Sequence, residues 1–409
     1  MDKTPAKQRL LLPDIARGVS LLGIAAANSV QAWITTGSSG AGAPGDTLGG
    51  VDPSSGVDAF FAVFSAMFVH VRGLPMFSTL LGFGFGLVVA SLYRKHYPLR
   101  DARRVLLRRY GTLAALGLIH MLAIFYGDIM LTYGLIGVLM ALLFTVSAKW
   151  LRLIAYILLG FFAVTGTAGA FAVYFFEPGA LPDMRAPTTE LLTVGDYFSA
   201  NFSAAMLMLT SIPFAVASLA GLSIIGYVWA TEGYLVNVDK HRAILRQWVY
   251  VAVAITLLLG LPWGLAAIGV IDPGLEEFFW ILNQSWGPFT GPGILAAFAL
   301  ATNGMQKRAA EAQAAPGWAY PLIALGKRSM SGYLAQSLLF IVLVSPFGFG
   351  LGLDANVAGK LGVGLLVWLI TLLLASVLEA TRTPGPFEWV HRHLAYGRTG
   401  AIEPRPAHA

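Results

Sequence analysis

Long apolar runs alternate with short polar stretches over the whole chain. A membrane-spanning helix needs about 20 apolar residues, and most of the runs approach or exceed that length. The pattern predicts ten spans, at roughly 15–35, 74–93, 110–126, 129–147, 151–176, 203–231, 246–270, 288–303, 328–346 and 357–379. Residues 57–71 form a shorter apolar run. We interpret it as a half-inserted or re-entrant helix, which is tolerated where protein or water covers its ends.

The composition agrees with a protein that lies in lipid. Of the 409 residues, 56% are hydrophobic and 12% are charged, whereas a soluble domain carries roughly 25% charged residues. We therefore predict an all-α integral membrane protein with a single polytopic membrane domain over residues 1–409 and the lipid bilayer as its partner. Residues 1–176 form its N-terminal half and 201–400 its C-terminal half. The absence of cysteine excludes disulfides, thiol catalysis and cysteine-ligated metal.

The basic residues predict the orientation of the spans. With ten spans and both termini in the cytoplasm, all but three of the 27 lysines and arginines fall at the cytoplasmic side, as the positive-inside rule expects. The three exceptions are Arg72, Arg185 and Lys360. The basic residues at the cytoplasmic side account for the formal net charge of +6. The charge therefore does not indicate a nucleic-acid partner.

The first predicted span carries Asp14, Arg17 and Asn28. Asp14 and Arg17 have the i, i+3 spacing that allows an ion pair on a helix. Two interpretations stay open. The pair only stabilises the start of the helix, or Arg17 is held there to bind a carboxylate or phosphate, which its planar guanidinium suits. A lone Asn28 is more often a hydrogen-bonding contact between helices than a reactive group.

His70 and Arg72 follow the short apolar run. They lie on the predicted non-cytoplasmic side, where the charge pattern disfavours cations. One interpretation is that both side chains reach the membrane interface and are solvated there. The other is that they belong to a functional site.

His120 lies inside the third predicted span, and Asp128 lies at the turn that leads into the fourth. An ionisable side chain at such a depth is costly and usually has a partner. Gly117, one turn before His120, allows this face to pack closely or to border a cavity. A carboxylate that orients a histidine suits general-base chemistry, but a structural polar pair between two helices explains the same residues. No spacing of His, Asp and Glu resembles a closed metal site, so we predict no metal.

Two further segments have a simple and a functional interpretation. The loop from Arg94 to Arg109, which includes Arg103, Arg104 and Arg108, contacts anionic lipid or docks the phosphates of a substrate. The repeated glycines Gly82, Gly84 and Gly86 favour close helix packing. A phosphate-binding loop is disfavoured, because no strand precedes them and no Lys-Ser/Thr pair follows. We also expect Pro213 and Pro262 to disturb their helices.

Four stretches of the chain carry a family resemblance. They are Asp14-x-x-Arg17-Gly18 with Gly23 and Asn28; Pro75 to Gly84; Gly117 to Tyr133; and Gly326 to Ser337 with Gly385 to Arg392. Together they resemble the YeiB-like membrane proteins, whose C-terminal half is a domain of unknown function, number 418. Pro13 and Gly332 depart from the family pattern, which has an aliphatic residue and often Asn at these positions.

The YeiB-like family is distantly similar to membrane acyltransferases. These include the lysosomal heparan-glucosamine acetyltransferase and bacterial enzymes that acylate cell-surface sugars. The resemblance implies a multi-pass protein of the bacterial plasma membrane that transfers an acyl group from cytoplasmic acyl-CoA. The acceptor would be a hydroxyl or amine of a sugar or lipid at the outer face. Acyl-CoA would be a co-substrate, and no tightly bound cofactor is implied.

The hypothesis of a transmembrane acyltransferase assigns roles to particular residues. Arg17, held by Asp14, and the loop residues Arg103, Arg104 and Arg108 would bind the CoA phosphates.

The bacterial acyltransferases have a histidine where this chain has Asn28, so another residue must supply the base. We expect it to be His120, oriented by Asp128, with His70 as the alternative. Asn28 or Tyr133 would stabilise the developing oxyanion.

A transporter is the alternative function. In a proton-coupled permease for a small polar or amphipathic solute, His120 and Asp128 would relay protons. A homo-oligomer is also open, because glycine-rich helix faces pack between protomers as well as within one.

Overall fold

The chain is helical throughout the part that the structure describes. The computed structural model describes residues 10–35, 45–52, 54–176, 188–312 and 315–404, and no strand occurs among them. The α-helices are α1 Leu11–Asn28, α2 Gly56–Phe68, α3 Gly73–Arg94, α4 Leu99–Ala123, α5 Met130–Leu143, α6 Ala148–Phe176, α7 Val194–Glu232, α8 Arg242–Ile255, α9 Leu261–Ala267, α10 Glu276–Trp286, α11 Thr290–Ala312, α12 Tyr320–Lys327, α13 Ser329–Val344, α14 Val357–Ala380 and α15 Pro386–Tyr396. Short π-helical turns extend α1 at Ser29–Trp33 and join α8 to α9 at Thr256–Gly260.

Six helical stretches among the described residues are long and apolar enough to cross a membrane. They are Gly56–Arg94, α4, α6, α7, Arg242–Ala267 and α14. Large apolar side chains such as Phe161, Val164 and Phe214 are exposed on them, which is the surface expected of helices that face lipid. The helices α5 and α13 are apolar but shorter. The all-helical membrane class is confirmed, whereas ten spans and cytoplasmic termini stay predictions.

Basic side chains gather at one end of the bundle. Lys307 of α11 and Arg242 of α8 both contact Asp239. At the same end Arg152 pairs with Glu232 at 2.8 Å, so α6 meets the end of α7. We call this end of the bundle, which also carries Arg94, Arg104, Arg108 and Lys327, the basic face.

At the other end of the bundle, hydrogen bonds to acidic side chains connect neighbouring segments of the chain. Glu276 accepts hydrogen bonds from the backbone N–H groups of Gly45 and Thr47, at 2.8 and 3.0 Å. Asp58, near the start of α2, accepts from the N–H of Ala358 at the start of α14. We call this end, which carries Asp46, Asp52, Glu276 and Ser345, the distal face. Lys360 is buried there and donates to the carbonyl of Gly49. Arg185 lies outside the described residues.

The predicted half helix is α2, and the chain continues from it towards the basic face. Together α2 and α3 cover Gly56–Arg94, with a break in which Val71 has a φ of 56°. The shorter apolar run is therefore helical and continues into α3, and its half-inserted or re-entrant position in a membrane stays a prediction. Gly73 packs against Gly23 in the middle of α1. His70 and Arg72 are buried, so the predicted solvation of these side chains at the interface is wrong.

Other predicted boundaries differ from the structure in identifiable ways. The sequence pattern missed α10, α12 and α15, which are short and carry charged or proline residues. α7 continues through Pro213. The seventh predicted span is interrupted by its π-helical turn directly before Leu261 and Pro262, as expected where a proline removes a backbone hydrogen bond.

The glycines of α3 bring its backbone against α7. A Cβ atom added at Gly82 would lie 1.7 Å from the carbonyl oxygen of Ser223, and one added at Gly226 would lie 1.9 Å from that of Thr79. Ser223 Oγ donates to the carbonyl of Ser78 at 2.9 Å across this contact. The packing interpretation of the α3 glycines is confirmed for Gly82.

We predict that Gly82→Ala destabilises the protein by about 1–3 kcal/mol or more, because the added methyl group forces two backbones apart. Gly160→Ala is the matched control, since nothing lies within 4 Å of a Cβ at Gly160. The control should leave stability unchanged or raise it slightly. Thermal unfolding in detergent measures both variants, and an equal effect of the two would contradict the packing argument.

Candidate functional site

His120, Asp128 and Ser337 form a buried hydrogen-bonded chain. Asp128 Oδ2 lies 2.7 Å from His120 Nδ1, and Ser337 Oγ lies 3.1 Å from His120 Nε2. All three residues are buried. With the Nδ1 proton donated to Asp128, Nε2 accepts from the Ser337 hydroxyl. This is the order of groups that activates a serine nucleophile in unrelated hydrolases and transferases.

The α4–α5 hairpin brings His120 and Asp128 together. A Cβ at Gly117 would lie 2.1 Å from the backbone nitrogen of Leu131 and 2.8 Å from Asp128 Oδ1, so only glycine allows α5 to start so close to α4. Asp128 Oδ1 accepts from the N–H of Leu131 at 2.7 Å, which satisfies a free donor in the first turn of α5. The predicted contact between the carboxylate and the imidazole is therefore formed, and both carboxylate oxygens have partners.

A cavity of about 680 Å³ lies between α1, α3, α4, α5, α12, α13 and α15. Its lining is apolar and aromatic along α3 and α5 and polar near the basic face. The lining residues are Arg17, Leu21, Phe77, Leu81, Gly84, Leu87, Val88, Ser91, Arg109, Tyr110, Leu113, Ile129, Met130, Tyr133, Gly326, Lys327, Ser329, Met330, Tyr333, Glu388, His391 and Arg392. We call it the basic-face cavity.

Four cationic side chains against one carboxylate line the basic-face cavity. Arg17 lies 3.7 Å from Asp14, which confirms the predicted ion pair, and Arg17 is one of these four. Glu388, the carboxylate, accepts from the backbone N–H groups of Met330 and Ser331. The polar end of the cavity is therefore suited to an anionic group, because its acid is already hydrogen-bonded and its cations outnumber it.

A small pocket of about 70 Å³ lies on the distal side of the same helices. The lining residues are Ala32, Trp33, Phe125, Tyr126, Thr188, Leu191, Tyr197, Ala200, Asn201, Ala204, Val344 and Ser345. Trp33 is stacked on Phe125, with ring centroids 4.6 Å apart, and on Tyr197 at 6.2 Å. We call this the distal pocket. Its aromatic faces alternate with hydroxyl and amide groups.

His120 contacts a lining residue of each cavity. The ring of Tyr333, which lines the basic-face cavity, lies 5.4 Å from the imidazole, and the ring of Phe125, which lines the distal pocket, lies 6.4 Å from it. The hydroxyl of Tyr333 is near the backbone of Gly127 and Ile129. The histidine therefore lies in the partition between the two cavities, one aromatic ring away from each.

The other predicted site residues are distributed over three places. Tyr133 lines the basic-face cavity and donates to the carbonyl of Leu74. Asn28 is the last residue of α1 and is half-buried, and His70 lies at the α2–α3 break. Among the described residues, none of these three hydrogen-bonds to His120 or Asp128.

The predicted loop arginines lie outside the cavity lining. Arg104 is exposed beside Asp101, Arg108 donates to the carbonyl of Leu394, and the guanidinium of Arg103 lies over the ring of Phe144. Arg109, the last residue of the predicted loop, reaches the cavity instead. It donates to the hydroxyl of Tyr396 at the end of α15.

Sequence reasoning missed several residues of the site. Ser337 is 217 positions from His120, so no local spacing indicates the contact. Tyr333 precedes Ser337 by one helical turn, and both belong to a stretch that carries the family resemblance. This resemblance was the only indication in the sequence that Tyr333 or Ser337 belongs to the site. Arg109, Lys327, His391 and Arg392 were not assigned to the site, because charge patterning cannot tell a cavity from a solvated loop. No group of three or more His, Asp or Glu side chains in the described part of the chain is placed to hold a metal ion.

Residues 229–398 match the sequence model of a family described as "Protein of unknown function (DUF418)". The chain is 22% identical over 367 residues to the "Uncharacterized protein YxaH" of Bacillus subtilis, over 85% of this chain and 84% of that protein. It is 25% identical over 402 residues to the "Uncharacterized 39.9 kDa protein in amylase 3'region" of Bacillus acidopullulyticus, over 97% of both chains. No solved structure matches the chain significantly.

We predict that acid weakens the docking of α15 on α4. Burial, together with the charge of Arg109, lowers the pKa of His391 from 6.5 to about 4. As the pH falls, the imidazole of His391 is protonated in the unfolded chain at a higher pH than in the folded chain. The unfolding free energy should therefore fall as the pH falls from about 6.5 to about 4, by up to about 3 kcal/mol, and this effect is absent above that window.

Thermal unfolding in detergent across this pH range measures the effect. His391→Gln keeps a neutral donor for the carbonyl of Arg109, which accepts from His391 Nε2 at 2.9 Å, and should flatten the pH dependence. His393→Gln, from the same helix, is the control and should keep it. Identical slopes in the wild type and His391→Gln would contradict the prediction.

Proposed function

We propose that this chain, whose residues 229–398 match the sequence model of the DUF418 proteins of unknown function, is a membrane acyltransferase. It takes an acyl group from acyl-CoA at the basic face and transfers it to a hydroxyl or amine at the distal face. The observation that carries the proposal is the position of His120, which contacts a lining residue of the basic-face cavity and one of the distal pocket. We place the basic face in the cytoplasm of a bacterial plasma membrane, following the positive-inside rule.

The donor site is the basic-face cavity. Arg17, Arg109, Lys327 and Arg392 supply positive charge for the phosphates of CoA, because guanidinium and ammonium groups form charge-assisted hydrogen bonds with phosphate oxygens. The apolar lining along α3 and α5 suits the acyl chain and the pantetheine arm. The cavity volume of about 680 Å³ is in the range of small-molecule sites.

The reaction proceeds by two transfers through Ser337. Its Oγ attacks the thioester carbonyl while its proton passes to His120 Nε2, and the carbon–sulfur bond breaks as His120 returns the proton to the CoA sulfur. The acceptor oxygen or nitrogen then attacks the acyl-serine ester. The proton of the acceptor passes to His120 Nε2. His120 then gives this proton to Ser337 Oγ as the ester bond breaks, which restores the free serine and the neutral histidine. Asp128 orients the imidazole and stabilises its charged form.

The acceptor enters from the distal pocket. The hydroxyl and amide groups of this pocket suit the hydroxyl groups of a sugar or of a lipid head group. The pocket must widen from its volume of about 70 Å³ to admit either acceptor. Tyr333 closes the other side of the imidazole, so its ring must turn to admit the thioester. Tyr133 and Asn28 remain the proposed oxyanion donors.

Proton-coupled transport of a small polar solute is the second candidate. The broken helix α2–α3 favours it, because discontinuous helices with buried polar groups are typical of secondary transporters. In that case His120 and Asp128 carry the coupled proton. Proton-driven uptake into proteoliposomes in the absence of CoA would support transport and would be lost in Asp128→Asn.

We predict that Ser337→Ala lowers acyl transfer by at least about 10³-fold, since loss of an activated nucleophile removes the covalent route. Ser376→Ala is the matched control, because this serine of α14 only donates to a backbone carbonyl of its own helix. The measurement is the release of free CoA from acetyl-CoA and longer acyl-CoAs by purified protein in proteoliposomes. Wild-type protein without acceptor should show a burst of about one equivalent.

Mass spectrometry of the protein after the burst should find the acyl group on Ser337 and none in His120→Gln. Activity that survives in Ser337→Ala but is lost in His120→Gln would contradict the acyl-serine step and make His120 the base for the acceptor. The absence of CoA release with every acyl-CoA would contradict the enzyme itself.

We also predict that Arg17→Ala weakens acyl-CoA binding by about tenfold or more, because a charge-assisted hydrogen bond to phosphate is lost. Arg104→Ala removes an exposed arginine outside the cavity lining and serves as the control. Calorimetric titration of the purified protein with acyl-CoA measures both. A larger loss in Arg104→Ala would place the phosphates on the exposed first turns of α4 instead of in the cavity.

A further inference from the structure

A second polar cluster lies at the break between α2 and α3, apart from the His120 site. His70 and Arg72 are 1% and 4% exposed, and Ser65 and Asn283 are fully buried. The packing of Gly73 against Gly23 holds the break at the level of the middle of α1. The cluster is thus enclosed by protein at a depth where charged groups are rare and usually functional.

Arg72 is bonded to neutral acceptors. Its Nε donates to the carbonyl of Met67 at 2.8 Å, one Nη to the carbonyl of Val71 at 3.1 Å, and the other to Asn283 Oδ1 at 2.8 Å. The two carbonyls belong to the end of α2 and the break, so the guanidinium offsets the partial negative charge at the C-terminus of α2. The described partners include no carboxylate, and most of the positive charge is not neutralised.

The surrounding side chains add hydrogen-bond donors. Ser65 Oγ, Asn283 Nδ2 and both ring nitrogens of His70 have no hydrogen-bond partner among the described residues. A hydroxyl, an amide and a neutral imidazole can each donate a proton. Buried donors without partners are costly. A cluster with an excess of donors around one cation is suited to an anion.

The space next to Arg72 is narrow. A Cβ at Gly260 would lie 3.2 Å from one Nη atom of Arg72, and a Cβ at Gly287 would lie 3.1 Å from the other. The start of α3 at Gly73 adds the partial positive charge of a helix N-terminus at the same place. The backbones at these two glycines leave no room for a large organic anion beside the guanidinium.

We propose that the break between α2 and α3 binds a small monovalent anion of the size of chloride, held by Arg72, Asn283, Ser65 and His70. The ion neutralises the arginine and locks the two halves of the broken helix to α10. This site is independent of the acyl transfer proposed above, and it neither needs nor tests that reaction.

The test is thermal unfolding of the purified full-length protein in detergent, with chloride or bromide replacing gluconate at constant ionic strength. The thermal midpoint should rise with halide concentration and saturate, because a ligand that binds only the folded state stabilises it. Gluconate is too large for the site. A midpoint that does not depend on the halide would overturn the proposal and leave Arg72 as a cap of α2 alone.

Asn283→Asp is the decisive variant. Its carboxylate would occupy the position of the amide oxygen, 2.8 Å from Arg72, and would supply the negative charge from the protein itself. We expect a midpoint in gluconate at or above that of the wild type and no response to halide. Asn201→Asp is the matched control, because Asn201 is also buried but bonds to backbone groups at the end of α4 and in the α4–α5 turn. It should keep the halide response.

Ser65→Ala provides a second variant if Asn283→Asp does not fold. It removes one unpartnered hydroxyl from the cluster and should shift the halide concentration at half-saturation upwards by several fold. A halide response that is unchanged in both variants would place the ion elsewhere and contradict the proposal.

Discussion

Backbone contact between helices is the constraint on which the rest of the structure depends. Helices that cross through glycine come close enough for their carbonyl groups and side-chain hydroxyls to meet, which replaces the driving force that water supplies in soluble proteins. Gly18 lies against Leu322 of α12, Gly82 against Ser223 of α7, and Gly117 against the start of α5. Each of these contacts fixes the height of one helix relative to another. The buried polar groups lie where these heights bring them together.

The polar interior follows from this registration. The start of α5 is held against α4, so Asp128 meets His120, and α13 carries Ser337 to the free side of the imidazole. At the α2–α3 break the same close packing, through Gly23, Gly260 and Gly287, surrounds Arg72 with backbone. The two clusters differ in charge. The first contains a carboxylate within hydrogen-bond distance of its histidine, whereas the second holds a cation among neutral acceptors and unpaired donors. This difference leads to our separate proposals of proton transfer chemistry and of anion binding.

Much of the architecture could be predicted from local sequence. Apolar runs indicated the membrane class, the Asp14–Arg17 spacing indicated an ion pair that the structure contains, and the depth of His120 indicated a partner that Asp128 provides. The structure differs from the sequence-based predictions at two places, each for its own reason. The sequence pattern treated 57–71 and the span after it as separate membrane segments, because periodicity does not reveal that a chain continues through a break. It did not single out Arg109, which lines the basic-face cavity, because a basic run looks the same whether its side chains face solvent or a cavity.

The sequence by itself therefore determined the class of protein, the predicted orientation from its basic loops, and the pairing of residues that are close along the chain. These properties depend on composition and on spacing within one helix or hairpin. Only the tertiary structure decided that Ser337 completes the chain from Asp128 through His120, that Tyr333 and Phe125 place the imidazole between two cavities, and that Arg72 is buried without a described carboxylate. These contacts join residues far apart in sequence, and they exist because the packing of the helices sets their relative heights and rotations.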